Sequence, residues 1–199
     1  AAPSRPVPVQ GGVISGSSVA AAVWLLRRGG VAPACVLELG AGRGLLGLAA
    51  AVGLGVPARL TDLEEDVREA LRRSVAETGA ARDLVDVARL DWDDGLESSV
   101  KVDGGGVLLG AELLWADDGV DALLEAVTPA VLDAGWDFVY GASQRPSNAV
   151  LLQRLAAEAG TELCVEGFLV QRVCTRCDGW RSLEACEVAH WRRLRSARG

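Results

Sequence analysis

Ala34-Cys-Val-Leu-Glu38, running directly into Leu39-Gly-Ala-Gly-Arg-Gly44, is the stretch that decides the fold of this chain. A short apolar run closed by a glycine cluster reads as a buried strand ending in a tight turn. Leu45 to Val52 behind it reads as a helix. Outward from there the same rhythm repeats. Ala58 to Asp62 is a second strand and Leu63 to Glu77 a charged, periodic helix. Val85 to Leu90 is a third strand and Val107 to Ala111 a fourth, with a helix over Val120 to Leu132. Trp136 to Ala142 is a fifth strand, followed by a helix from Asn148 to Ala159. Upstream, residues 17–28 form an amphipathic helix with a Ser start. Glu162 to Val173 and Ser182 to Leu194 then read as two strands with no helix between them. Strand–helix alternation implies an α/β, Rossmann-like parallel sheet, and the last strand pair an antiparallel C-terminal hairpin at one edge. Ala1 to Gln10, with three Pro, is expected to be a flexible extension, and residues 11–199 a single domain.

Composition narrows the function classes. The 199 residues are 50% hydrophobic and 24% charged, with mean hydropathy +0.23, which suits a folded domain rather than a disordered chain. Twenty basic against 27 acidic residues give a net charge of -7, which argues against binding nucleic acid by charge alone. No apolar run reaches the roughly 18–20 residues of a membrane span, so no membrane partner is expected. Five cysteines, an odd number with two inside expected strands, read as reduced thiols of an intracellular, cytoplasmic protein.

The first strand-to-helix turn carries the chemistry. In an open α/β sheet, ligands bind beyond the carboxyl ends of the strands, where the strand order reverses. Gly40, Gly42 and Gly44 let the backbone approach a ligand, and the following helix N-terminus attracts an anion. Asp62 ends the next strand, 20 residues after Gly42, where a carboxylate can take both hydroxyls of a ribose. A dinucleotide fingerprint would need a third glycine at Leu45, which counts against NAD. Glu38 beside the turn would repel a pyrophosphate, but it suits S-adenosyl-L-methionine, whose sulfonium and ammonium are both cationic.

Val36-Leu-Glu-Leu-Gly-Ala-Gly42, Leu46-Gly-Leu-Ala-Ala50, Leu60-Thr-Asp-Leu63, Leu90-Asp-Trp92 and Gly110-Ala-Glu-Leu-Leu-Trp115 match in order and spacing the family 16 methyltransferases. These are the seven-strand protein-lysine methyltransferases of the methyltransferase-like 21 type, and the resemblance covers about residues 11 to 160. It implies a class I sheet in the order 3-2-1-4-5-7-6. It also implies roles for individual residues. Gly40 and Gly42 surround the methionine end of the cofactor, and Asp62 holds its ribose. Trp92 flanks the adenine with Asp91 beside the exocyclic amine, and Ala111 gives a backbone contact. The acid-x-x-aromatic motif falls on Glu112 to Trp115 at the substrate mouth. Glu112 then positions the amine catalytically, while Trp115 and Arg145 face the substrate. The indole that many relatives place over the cofactor is replaced here by Gly16.

The expected activity is therefore methylation of a protein lysine side chain by a monomer. A small-molecule methyltransferase and a silent cofactor-binding scaffold are the alternatives. Cys174, Cys177, Cys186 and His190 have a zinc-like order. However, two residues four apart on a strand are roughly 13 Å apart, too far to converge on one ion, and no metal is expected. The basic tail from Trp191 to Arg198 reads as a solvated strand end.

Overall fold

A computed structural model describes residues 14–28, 33–79, 82–96, 105–114, 119–173 and 181–194. Its elements run α1 (Gly16–Arg27), β1 (Val36–Glu38), α2 (Leu45–Leu54), β2 (Ala58–Asp62), α3 (Glu65–Thr78) and β3 (Val85–Arg89). A single 3-10 turn (Trp92–Asp94) leads to β4 (Val107–Ala111), α4 (Gly119–Leu132), β5 (Asp137–Ser143), α5 (Pro146–Ala157), β6 (Thr161–Val173) and β7 (Arg181–Arg193). All seven strands join one sheet in the order β3-β2-β1-β4-β5-β7-β6. The first five are parallel, while β7 is antiparallel to both β5 and β6. The α/β sheet, its strand order and its antiparallel hairpin all agree with the sequence reading.

Most element ends agree to within two residues, and the shifts have local causes. α1 starts at Gly16 because Ser15, not Ser17, is its N-cap: the Ser15 hydroxyl accepts the Ser18 N–H at 3.0 Å. This leaves the Ser17 hydroxyl available for a tertiary contact. α5 starts at Pro146, earlier than the expected Asn148. Proline suits a first helical position, where its missing N–H would have no intrahelical partner.

Alternation along the strands divides the core between the two faces of the sheet. Leu37, Leu108, Phe138 and Tyr140 point to one face and pack with α4 and α5 residues such as Val127 and Leu151. Val36, Leu109 and Val139 point to the other, against Ala20, Trp24, Leu46 and Leu71 of α1, α2 and α3. The chain leaves β1 toward β2 on one side and takes up β4 on the other. The turns after β1 and β4 therefore flank the crevice where the strand order reverses.

Candidate active site

The turn after β1 is held by its neighbours' backbone. Leu39 N–H donates to the Leu109 carbonyl and Ala41 N–H to the Thr61 carbonyl, both at 2.8 Å. Gly40, Gly42 and Gly44 take φ of 53°, 55° and 78°, a left-handed backbone that glycine adopts without steric cost. Asp62 closes the turn from β2: its Oδ2 accepts the Gly42 N–H at 3.0 Å and its Oδ1 the Glu64 N–H at 3.4 Å. Behind it, the buried Arg68 of α3 donates to the Asp62 carbonyl at 2.9 Å and fixes the strand end.

Glu38 lies beneath this turn, only 4% exposed. Its Oε2 accepts the Gly47 N–H at 2.9 Å, so the carboxyl caps α2 from below, and the Glu38 carbonyl accepts the Thr61 hydroxyl at 2.7 Å. Burial pushes the carboxyl up to about 8; the Gly47 hydrogen bond opposes the shift and the charge of Asp62 adds to it. A cation brought beside Glu38 would favour its ionised form. Gly47 makes this packing possible, since a Cβ there would lie 2.5 Å from Glu38 Oε2 and 2.9 Å from Leu60. Sequence reading did not single it out. The signal was a glycine inside an apolar helix, where it costs about 1 kcal/mol against Ala and calls for a packing reason.

Asp91 and Trp92 follow β3 on the same carboxyl edge. Asp91 caps the 3-10 turn, with Oδ1 accepting the Asp93 N–H at 3.4 Å, and its Oδ2 accepts from Arg89 at 3.0 Å. Trp92 is half-buried against the α4 and α5 core.

Across the crevice, β4 ends at Ala111 and the chain turns at Glu112, whose φ of 55° is the one positive value among the described non-glycine residues. Non-glycine residues seldom adopt this region, and the contacts of Glu112 hold it there. Oε1 accepts the Ser17 hydroxyl at 2.8 Å and the Ser143 N–H at 2.5 Å; Oε2 accepts the Ser143 hydroxyl at 2.9 Å and lies 3.2 Å from Arg145 Nε. Helix α1, the end of β5 and the start of α5 thus meet on one carboxylate. Leu113 folds back over the first turn, so a Cβ on Gly40 would lie 2.7 Å from its Cδ2. Ser17, Ser143 and Leu113 were not picked out from the sequence, where nothing local ties them to Glu112 or Gly40.

Glu38, Gly40, Gly42, Asp62, Asp91, Trp92, Ala111, Glu112 and Arg145 therefore all lie at or beyond the carboxyl ends of parallel strands, along one edge of the sheet. Trp115 lies outside the described residues. Gly16 is in α1, and the place of its missing side chain is taken by the Glu184 carboxylate, 2.5 Å from where a Cβ would stand. Of the four zinc-like residues, Cys174 and Cys177 lie outside the described residues. Cys186 packs beside Ser17, its Sγ 3.8 Å from the hydroxyl, and His190 sits between Arg28 and Asp137 at 2.9 and 2.8 Å.

Solved methyltransferases share this architecture. The chain is similar to the precorrin-6y C5,15-methyltransferase of Geobacter metallireducens, with 12% identity, 94% of this chain and 93% of that one covered, and a TM-score of 0.65. It is similar to the B. subtilis M1A22 tRNA methyltransferase TrmK, with 15% identity, 92% and 68% coverage and a TM-score of 0.61. A third is the O-methyltransferase TomG of Streptomyces achromogenes, solved with its cofactor, with 15% identity, 92% and 82% coverage and a TM-score of 0.57. At such identities the likeness defines the fold, that of class I methyltransferases. No curated protein sequence matches significantly. The family model described as lysine methyltransferase matches residues 9–157. The chain belongs to this lysine methyltransferase family, and its cofactor is S-adenosyl-L-methionine. The residues present fit that cofactor chemically: a glycine turn at a helix N-terminus suits a carboxylate, a strand-end aspartate suits a pair of hydroxyls and a buried acid suits a neighbouring cation.

Proposed function

We propose that this chain methylates the side-chain amine of a protein lysine. The observation that carries the reading is the carboxylate of Glu112, held at the end of β4 across the crevice from the glycine turn, in a chain of the lysine methyltransferase family. Bound S-adenosyl-L-methionine supplies a sulfonium methyl group that transfers by direct displacement. Holding donor and acceptor in line is then worth much of the rate. In this reading Gly40 and Gly42 admit the methionine end, with Glu38 beneath. Asp62 takes the ribose hydroxyls, Asp91 and Trp92 receive the adenine, and the Ala111 backbone borders the methyl. Glu112 orients the acceptor amine, which must lose its proton before attack. Trp115 and Arg145 contact the substrate.

The chain is proposed to act as a monomer. Cys35 and Cys164 are free thiols, which supports a reducing, intracellular setting, and we assign it to the cytoplasm. Among the described residues no helix is long and apolar enough to cross a membrane.

A second reading is favoured by one observation. The known donors already use both oxygens of Glu112, as expected of a scaffold that binds cofactor without turning over. One experiment separates the two. The protein is incubated with cell lysate and methyl-labelled cofactor, and the products are hydrolysed to amino acids. Label in methyl-lysine that disappears with Glu112→Ala supports the enzyme. Binding of S-adenosylhomocysteine without any labelled product supports the scaffold, and label confined to small molecules replaces the protein substrate with a metabolite.

A further inference from the structure

We infer that Asn148 is a positioning residue for Glu112: its amide pins Ser143, which in turn holds the carboxylate in place for the acceptor amine. This rests on the reading of Glu112 given above. Two of the hydrogen bonds on the Glu112 carboxylate come from Ser143, its N–H at 2.5 Å on Oε1 and its hydroxyl at 2.9 Å on Oε2. Ser143 is the last residue of β5. Its own carbonyl accepts the Asn148 Nδ2–H at 3.0 Å and the Arg145 backbone N–H at 2.8 Å. Ser143 is thus fixed by α5 on one side and fixes Glu112 on the other.

The amide has one possible orientation. A carbonyl oxygen only accepts, so the end of Asn148 that faces Ser143 must be its NH₂ group. The Oδ1 end then accepts the Tyr140 hydroxyl at 2.7 Å. Burial, and after it the charge of Glu112, raise the Tyr140 phenol above its ordinary 10, against the opposing backbone of Leu113 and Leu114. The hydroxyl therefore stays protonated at neutral pH and keeps donating. Beside Asn148 in the first turn of α5, the buried Ser147 hydroxyl donates to the Leu114 carbonyl at 3.5 Å. Successive residues of one turn hold the donor of Glu112 and the segment that follows Glu112.

Filling space does not call for such a pair. Tyr140 is 0% exposed and Asn148 1%, and two apolar side chains of the same shape could pack there with little or no loss of stability. What the polar pair adds is direction, passed to Ser143 and from it to Glu112.

The test makes that exchange. Tyr140→Phe combined with Asn148→Leu replaces the pair by apolar groups and leaves no buried group without its partner. The Ser143 amide proton, in a short charge-assisted hydrogen bond, is followed in ¹H–¹⁵N spectra with S-adenosylhomocysteine bound. It is expected to move upfield in the double variant while the Gly40 and Gly42 amides stay in place. Affinity for S-adenosylhomocysteine should hold within about two-fold, well short of a ten-fold change. Methyl-lysine formation in the lysate assay should fall at least about ten-fold, since a displacement reaction is sensitive to small misplacements. An unmoved Ser143 amide, an unchanged rate, or cofactor affinity that falls as far as the rate would overturn the inference. If the double variant does not fold, Tyr140→Phe alone is read, with the same shift expected at smaller size; an unmoved Ser143 amide there is equally fatal. Failure of the lysine reading looks different. Wild type then yields no methyl-lysine while the Ser143 amide still answers to Asn148, which leaves Asn148 holding Glu112 and removes lysine as the acceptor.

Discussion

Two glutamates, one buried and one half-buried, stand at the ends of neighbouring strands and are treated in opposite ways. Glu38, ending β1, receives the Gly47 N–H inside a largely apolar surrounding, and its carboxyl is pushed up to about 8. Glu112, just beyond β4, is met by two serines and an arginine brought from α1, β5 and the start of α5. The first is an acid whose ionised form is left short of partners, and the second a carboxylate that accepts three hydrogen bonds and forms an ion pair. One side of the crevice therefore gains from an arriving cation, while the other already holds one. A cofactor with a cationic centre suits the first, and a substrate amine that meets a carboxylate already fixed in place suits the second.

The largest expected effect breaks the cofactor side. Asp62→Ala removes the carboxylate that closes the glycine turn through Gly42 and that is placed for the ribose. Hydrogen bonds to a charged group are worth about 1.5–3 kcal/mol each, so losing two should weaken S-adenosylhomocysteine binding at least about 100-fold by calorimetry. Comparable loss from Glu112→Ala would collapse the distinction between the two sides.

Next is the pH response of Glu38. Its folded value of about 8 lies above the ordinary 4.5, so the native state binds the extra proton between them. The stability this contributes is complete below about 4.5, declines as pH rises and is gone above about 8. Wild-type unfolding free energy should fall relative to Glu38→Gln across that window, with a slope of at most about 1.4 kcal/mol per pH unit. Urea titrations of both proteins at several pH values read the difference directly. A constant gap between them would mean that Glu38 is already ionised in the folded chain.

Gly47→Ala tests the packing beneath the same turn. Helix propensity alone would favour Ala by about 1 kcal/mol. A Cβ at 2.5 Å from the Glu38 carboxylate and 2.9 Å from Leu60 should outweigh that gain, and overpacking of this kind costs about 1–3 kcal/mol. Net destabilisation in urea supports the close fit, and a stabilised variant would show that Glu38 can move aside.

How legible each side was in the sequence follows the same division. The cofactor side is built from residues close along the chain: Glu38 bonds to Gly47 nine residues on, and Gly42 to Asp62 twenty on. Strand, glycine turn and helix, followed by a second strand, are a repeating pattern, so the fold and the placing of Glu38, Gly42 and Asp62 around one turn could be read directly. The substrate side joins Ser17 to Glu112 across 95 residues and Glu112 to Ser143 across 31. No periodicity or spacing rule pairs such positions; only the assembled sheet, with α1 packed over β5 and β7, brings them together. Glu112 and Arg145 were accessible through the family motif, but their contact and both serines were not. Gly47 falls between the two cases, with a visible anomaly in a helix and a cause that only the packing supplies.

Ser17→Ala, the loss of a single oxygen atom, is the most discriminating of these changes. The hydroxyl is fully buried and donates to Glu112 Oε1 at 2.8 Å. Removing it should cost about 1–3 kcal/mol, the range for leaving a buried acceptor short of a donor. Since Ser17 lies in α1, on the substrate side of the division, S-adenosylhomocysteine affinity should hold within about two-fold, well under the ten-fold that corresponds to about 1.4 kcal/mol. Methyl transfer should fall instead, because Glu112 keeps its left-handed backbone only while its partners hold it. Ser17→Thr retains the hydroxyl and should recover part of the rate, which a loss caused by general loosening of α1 would not. Cofactor affinity that falls together with turnover would join the two sides into one unit, and α1 would then be their common support.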